Sequence, residues 1–203
     1  MTKLDHDDRE SRIAKAAYAV LAEKGYGGAS MLAIARASRA SNETLYRWYG
    51  DKRGLFVALT RRNAERVRRH LDEGLTGTDD PEKVLANVAP ILLTMLLDDP
   101  AILLNRAAAG DPSGELGRAI AQGGRQEIAP RIADLIVRAA EARGRKVPEP
   151  EVAATLFLNL LIGDLQIRRV IGATAVPDRP FVEARARQAL TAFAALRDLW
   201  STA

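Results

Sequence analysis

An all-α fold with a small basic amino-terminal domain and a larger apolar one is predicted by three observations. Apolar residues recur at three- and four-residue spacing along nearly all of the 203 residues, the signature of helices that bury one face. No alternating β-branched run is long enough to build a sheet. Stretches rich in Gly and Pro, such as "GLTGTDD", "GDPSG", "RGRKVPEPE" and "GATAVPDRP", cut the periodic segments into helix-length pieces. An apolar fraction of 47% supplies a sizeable core.

The first helix is expected over 8–24, with Ile13, Ala17, Val20 and Leu21 on one face, and "GYGG" ends it because glycine supplies the positive φ of a helix terminus. Ser30 is placed to cap a short helix over 31–38, and Ser41 repeats the device for a helix that Gly50 closes. A longer helix follows over 52–73, with Leu55, Ala58 and Leu59 inward before the basic run "RRNAERVRRH". Pro81 suits a helix start, and Pro90 predicts a kink within the same segment. Four further helices are expected over 100–109, 114–143, 150–171 and 179–201, with Pro130 a point of division in the second. These elements fall into a domain over 1–73 and another over 74–203.

Composition narrows the function classes. Without cysteine there are no disulfides, thiolate metal sites or cysteine nucleophiles. The two histidines, His6 and His70, belong to no Ser/His/acid set or metal-ligand cluster, and no glycine loop cradles a phosphate. No enzyme, no cofactor and no metal are therefore expected. The longest apolar runs fall short of the ~18 residues that span a membrane, so the reading is a cytoplasmic protein with no membrane partner. Residues 1–75 hold 15 Lys/Arg against 10 Asp/Glu, whereas the remainder holds 15 against 16. A positive first third on a neutral remainder suits a polyanionic partner or a solvated basic helix face equally well.

Three helices within about forty residues, the last two joined by a turn of about three residues, make the helix-turn-helix pattern. In the third helix Leu45 and Tyr49 lie four apart and are assigned to the core. Arg47 then faces opposite with Glu43 and Thr44 on the outward side, while Tyr46 and Trp48 project to either flank. A helix so arranged fits a major groove, with outward residues at base edges and flanking groups at phosphates. Alternatively, Tyr46 and Trp48 cover the edge of a small core.

The segment 13–59 resembles the DNA-binding domain of the TetR family of bacterial transcriptional repressors, through "IAKAAYAVLAEKGYGGAS", "IARAS", "SNETLYRWY" and Lys52 followed by Leu55 and Phe56. The resemblance implies an all-helical homodimer with an amino-terminal reader of double-stranded operator DNA and a carboxy-terminal ligand-binding and dimerisation domain. It also implies release from a near-palindromic operator when a small-molecule effector binds. Ser30, Tyr46 and Lys52 match the family's phosphate-contacting positions, and Thr44 lies where members approach bases or backbone. Readout is expected from Asn42, Thr44 and Arg47, with Ser41 and Trp48 at phosphates. Two residues depart from the pattern. Arg39 replaces the usual turn glycine, which demands a left-handed backbone or a different turn, and could add a phosphate contact. Glu43 stands where members often carry a small residue; it can accept from a cytosine amino group or simply place negative charge in a helix first turn.

In the second domain, Val182, Ala186, Ala189, Phe193, Leu196 and Trp200 repeat at heptad-like spacing, as do Leu156, Leu160, Gly163 and Ile167 in the preceding helix. Spacing alone fits a dimer seam and internal packing equally; the resemblance favours a dimer. Candidates to line an effector pocket are Leu92, Met95, Leu96, Leu103 and Phe157, with Asn105, Arg106, Asn159 and Gln166 as polar groups to orient the ligand.

Overall fold

The computed structural model describes residues 3–77 and 79–200, with the side chains of 3–5 and 197–200 outside that description. Eleven helices follow in order: α1 (Lys3–Gly28), α2 (Met31–Ser38), α3 (Asn42–Tyr49), α4 (Lys52–Thr76), α5 (Pro81–Leu97), α6 (Asp99–Ala109), α7 (Glu115–Gly123), α8 (Arg125–Glu141), α9 (Pro150–Ile162), α10 (Leu165–Val170) and α11 (Arg179–Trp200). Among the described residues there is no strand, as the periodicity predicts. The expected helix over 114–143 breaks at Gly123 and Gly124, and Pro130 lies inside α8. The helix expected over 150–171 ends at Gly163, whose φ of 53° the side-chain-free backbone accepts. Helix α5 runs on through Pro90. Among the described residues, no single helix is long and apolar enough to cross a membrane.

The chain forms two compact units, Met1–Asn63 with Asp99–Gly123, and Ala64–Asp98 with Gly124–Ala203. The packing units thus do not follow one cut of the chain near residue 73: α6 and α7 belong with the amino-terminal helices.

In the first unit, Ile13, Ala17 and Leu21 of α1 meet Ile34, Leu45, Leu55 and Phe56, with Leu104 and Leu116 completing the cluster. All nine are shielded almost completely from water, and burying side chains of this size is worth about 1.5–3 kcal/mol each for the larger ones. Gly123 lets α7 end directly on α4, since a Cβ there would lie 2.5 Å from the Val57 carbonyl oxygen. Arg53 of α4 donates to Gln122 Oε1 at 3.0 Å. Near the middle of α4, Tyr18 donates its hydroxyl proton to Asn63 Oδ1 at 2.9 Å, and Arg62 donates to Ser11 Oγ at 2.6 Å.

In the second unit, α5, α8, α9 and α11 enclose Leu92, Leu93, Ile132, Leu135, Phe157, Leu161 and Phe193. Arg138 of α8 donates to the carbonyls of Gly74, Leu75 and Gly77, supplying partners for the last carbonyls of α4. Arg185 of α11 does the same for α9, donating to Leu160 O at 2.6 Å and Leu161 O at 3.1 Å.

Burial pushes the Tyr18 hydroxyl up to about 12, with the Asn63 bond and the Arg62 charge opposing. Burial likewise pushes Tyr49 up to about 12, the Glu10 carboxylate adding to it and Arg62 opposing. A folded-state pKa above the unfolded value of 10.0 gives stability that is fully present below pH 10 and is lost as the pH climbs towards 12. Urea unfolding midpoints should therefore hold steady to about pH 10 and fall from there to pH 12, and Tyr18→Phe should blunt the fall.

Candidate nucleic-acid interface

Helices α2 and α3 are eight residues each, too short to persist alone, so caps and packing must hold them. Ser30 and Ser41 both adopt extended backbone and turn their hydroxyls onto the next helix: Ser30 Oγ accepts from Ala33 N–H at 3.1 Å, Ser41 Oγ from Thr44 N–H at 3.0 Å. Between them, Arg39 takes the left-handed conformation at φ 54°, ψ 35°. It is the one residue other than glycine with positive φ among those described. Ala40 N–H donates to Ala35 O at 3.0 Å and Arg39 N–H to Arg36 O at 3.3 Å. The glycine-type turn therefore forms without the glycine, at a cost in strain.

On α3, Leu45 is completely buried, while Asn42, Glu43, Tyr46 and Arg47 are exposed, Tyr46 at 50%. Four side chains, one cationic and three with further hydrogen-bonding groups, thus share one open surface. Two expected members do not join them. Thr44 is only 7% exposed and its hydroxyl lies 2.8 Å from Ser41 Oγ, so it completes the cap instead of facing outward. Trp48 is half-buried and stacks on His6, ring centroids 4.4 Å apart and planes at 26°, with Tyr49 edge-on at 6.3 Å. The buried arc of α3 is therefore wider than Leu45 and Tyr49 alone define: His6 of α1 covers Trp48, as the core-edge alternative expects, and Ser41 holds Thr44.

Gly50 turns the chain out of α3 with φ 77°, and Asp51 Oδ1 accepts from Gly54 N–H at 2.7 Å to start α4. Gly54 is dictated sterically: a Cβ there would stand 2.0 Å from the Tyr49 carbonyl oxygen. Lys52 is half-buried, its Nζ donating to Tyr26 O at 3.0 Å and lying 4.0 Å from the centre of the Tyr26 ring. From the sequence Tyr26 is only part of a helix stop; its ring four residues before the Ser30 cap is the available signal. Leu32 and Arg36 are also exposed on α2, four apart on one side.

The remaining predicted groups scatter. Val182, Ala186, Ala189 and Phe193 are buried in the second unit's own core, Phe193 edge-on to Phe157 at 5.5 Å. That stripe is internal packing, not a seam open to a partner; heptad spacing reports a buried stripe without saying what buries it. Leu156, Leu160 and Leu196 are half-buried, Gly163 and Ile167 are exposed, and the Trp200 side chain lies outside the described residues. Of the pocket candidates, Leu92 and Phe157 are core, Met95 and Leu96 lie partly buried against it, and Gln166 Nε2 donates to Leu96 O at 3.0 Å. Asn159 faces solvent. Leu103, Asn105 and Arg106 belong to the other unit, where Asn105 donates to its own helix at Ala101 O. A cleft of about 300 Å³ in the second unit is instead lined by Leu97, Leu165, Pro177 and Phe181, with Arg168, Arg169 and Asp178.

Residues 13–59 match the sequence model of the bacterial regulatory proteins of the tetR family, and residues 83–196 match that of the AefR-like transcriptional repressor C-terminal domain. The chain belongs to the TetR family. A solved structure described as a TetR-family transcriptional regulator from Mesorhizobium loti shares 25% identity and a TM-score of 0.71, over 97% of this chain and 98% of that one. A TetR transcriptional regulator from Agrobacterium tumefaciens shares 29% identity and a TM-score of 0.66, over 93% of each chain. The flavonoid-responsive regulator FrrA is 25% identical with a TM-score of 0.65, over 92% of this chain and 95% of that one. No curated protein matches the chain. The helix-turn-helix of α2 and α3 is thus the DNA-binding element of a TetR-family transcriptional regulator.

Replacing Arg39 by Gly should relieve about 1–2 kcal/mol of left-handed strain and forfeit about 0.5–1 kcal/mol of backbone entropy. The expected result is a slightly raised thermal midpoint, read by circular dichroism.

Proposed function

We propose that the protein is a ligand-responsive repressor that binds a near-palindromic operator as a homodimer and is released by a small-molecule effector. The observation that carries the DNA-reading half is the exposed surface of α3, where Asn42, Tyr46 and Arg47 stand together behind two serine-capped helix starts. Helix α3 enters the major groove. Arg47 pairs with a guanine edge and Asn42 with an adjacent base, because a fork of donors and an amide match those edges. Tyr46 donates to a phosphate on one wall. Ser30, Ser41 and the N–H groups behind them meet the backbone at the positive helix ends. Lys52 adds a phosphate contact with the two N–H groups that its bond to Tyr26 leaves over, and Arg39 another. Glu43 serves the first turn of α3 as a favourable charge.

The homodimer forms through the outward faces of α9, α10 and α11. Ile167 is 55% exposed, and α11 presents a shallow surface in which Ala184, Ala192 and Ala195 lie beside Arg187, Gln188 and Thr191, a self-complementary patch of the kind a two-fold interface uses. The effector is a small molecule held in the second unit, in the cleft lined by Leu97, Leu165, Pro177 and Phe181. That the similar regulator FrrA is flavonoid-responsive supports a small-molecule ligand. Effector binding shifts the population away from the arrangement in which two reading helices fit successive major grooves. The protein acts in the cytoplasm.

A gel-shift or anisotropy titration over fragments flanking the coding sequence tests the proposal; it fails if no fragment is bound far more tightly than random duplex at physiological salt. On the bound site, Arg47→Ala should cost about 1–3 kcal/mol and leave random DNA little affected, whereas Tyr46→Phe should weaken both alike. Ala192→Glu should convert the dimer to monomer in analytical ultracentrifugation and abolish tight operator binding with it.

A further inference from the structure

We propose that Tyr26 is a positioning residue for DNA binding, holding the Lys52 ammonium over its ring and against its carbonyl so that the cation is aimed before a phosphate arrives. The inference rests on the reading of Lys52 as a phosphate contact. Lysine is ordinarily a poor fixed contact, since four rotatable bonds and strong hydration leave its charge dispersed over many positions. Here two features of one residue fix it. The carbonyl of Tyr26 accepts from Nζ at 3.0 Å, and the ring face lies 4.0 Å from Nζ. The carbonyl lies just past the break that Gly25 makes in α1 with φ 65°, and an aromatic face attracts a cation at this distance. Both contacts are satisfied by a charged ammonium, and both leave N–H groups pointing elsewhere.

Tyr26 can act as a mount because it is itself immobilised. It is 3% exposed, and its ring meets Phe56 edge-on, centroids 5.3 Å apart with planes at 64°. Phe56 is fully buried in the cluster that also holds Leu45 of the reading helix. The mount and the reading helix therefore share one core, so the distance between the Lys52 cation and the α3 surface is set by packing. The Tyr26 hydroxyl does not touch the ammonium: it is buried beside the Glu115 carboxylate. Its pKa lies far above the ordinary tyrosine value, chiefly through burial and then through the neighbouring Glu115 carboxylate, so it stays neutral. The ring face and the carbonyl are the working parts, and a phenylalanine would supply both.

A purely structural role, in which Lys52 merely caps α1, makes a different prediction, because the salt dependence of DNA binding would not change when the ring is altered. The experiment is an anisotropy titration of the full chain on a random-sequence duplex between 50 and 300 mM salt, concentrations that span the range where counterion release dominates, about 0.9 in slope per phosphate contact. Lys52→Ala should weaken binding and flatten the slope of log affinity against log salt by about 0.9 per protomer. Tyr26→Leu, which keeps the carbonyl and removes the ring face, should move both readings towards those of Lys52→Ala, and the double variant should lose no more than Lys52→Ala alone. Tyr26→Phe should bind like the native protein. Pentafluorophenylalanine at position 26, nearly the shape of phenylalanine with the charge on its face reversed, should behave like Tyr26→Leu and serves if that variant does not fold. Additive losses, or a pentafluorophenylalanine variant that binds as well as Tyr26→Phe, would overturn the positioning role. An unchanged affinity and slope in Lys52→Ala would instead overturn the phosphate contact on which it rests.

Discussion

A two-turn helix cannot hold its own shape in water, because so few internal hydrogen bonds do not offset the cost of nucleation. Everything in the amino-terminal unit follows from that constraint on α2 and α3. Each is stabilised by a serine at its start, by a left-handed or glycine turn at its end, and by one or two side chains driven into a common core, Ile34 and Leu45 among them. The reading surface is whatever remains once those obligations are met. Asn42, Glu43, Tyr46 and Arg47 stay exposed while Leu45 is driven into the core, Thr44 is bonded to Ser41 and Trp48 is stacked on His6.

The same division explains what could be read in advance. Element types, the two serine caps and the glycine turn at position 50 were legible because each rests on a local rule that operates within four or five residues. Arg39 was legible as a conflict, since an arginine at a glycine position must strain, and its φ of 54° is that strain. Thr44 and Trp48 were not legible. Trp48 is covered by His6 from a distant part of the chain and Thr44 turns back onto Ser41, and a helical wheel drawn from two core residues carries an angular error as large as the difference between a flank and an interior position. The stripe from Val182 to Phe193 failed for a related reason: periodicity names the buried face, but the identity of the neighbour is a tertiary fact. Helices α6 and α7 make the same point at larger scale, since nothing in their sequence ties them to α1 and α4, yet α7 ends against Val57 through Gly123.

Charge placement follows a consistent economy. Arginines in the second unit are spent on the carbonyls that helix ends leave over, Arg138 at α4, Arg169 at Leu97 and Arg185 at α9, where a planar fork of donors satisfies several acceptors at once. Exposed ion pairs such as Arg179 with Glu183 add little, because water screens them. In the first unit, by contrast, Arg36 and Arg47 project outward from α2 and α3, which leaves their charge available to a polyanion.

The contact at Gly54 sets how such a reader can change over time. Because the start of α4 rests on the Tyr49 carbonyl with no room even for a methyl group, and Asp51 Oδ1 holds the Gly54 N–H, the joint behind α3 uses none of that helix's exposed side chains. Its geometry does not depend on which side chains α3 displays. Positions 42, 43, 46 and 47 can therefore be exchanged as a set without retuning the joint they hang from, and the exposed face of α3 can diversify while the frame that presents it stays fixed.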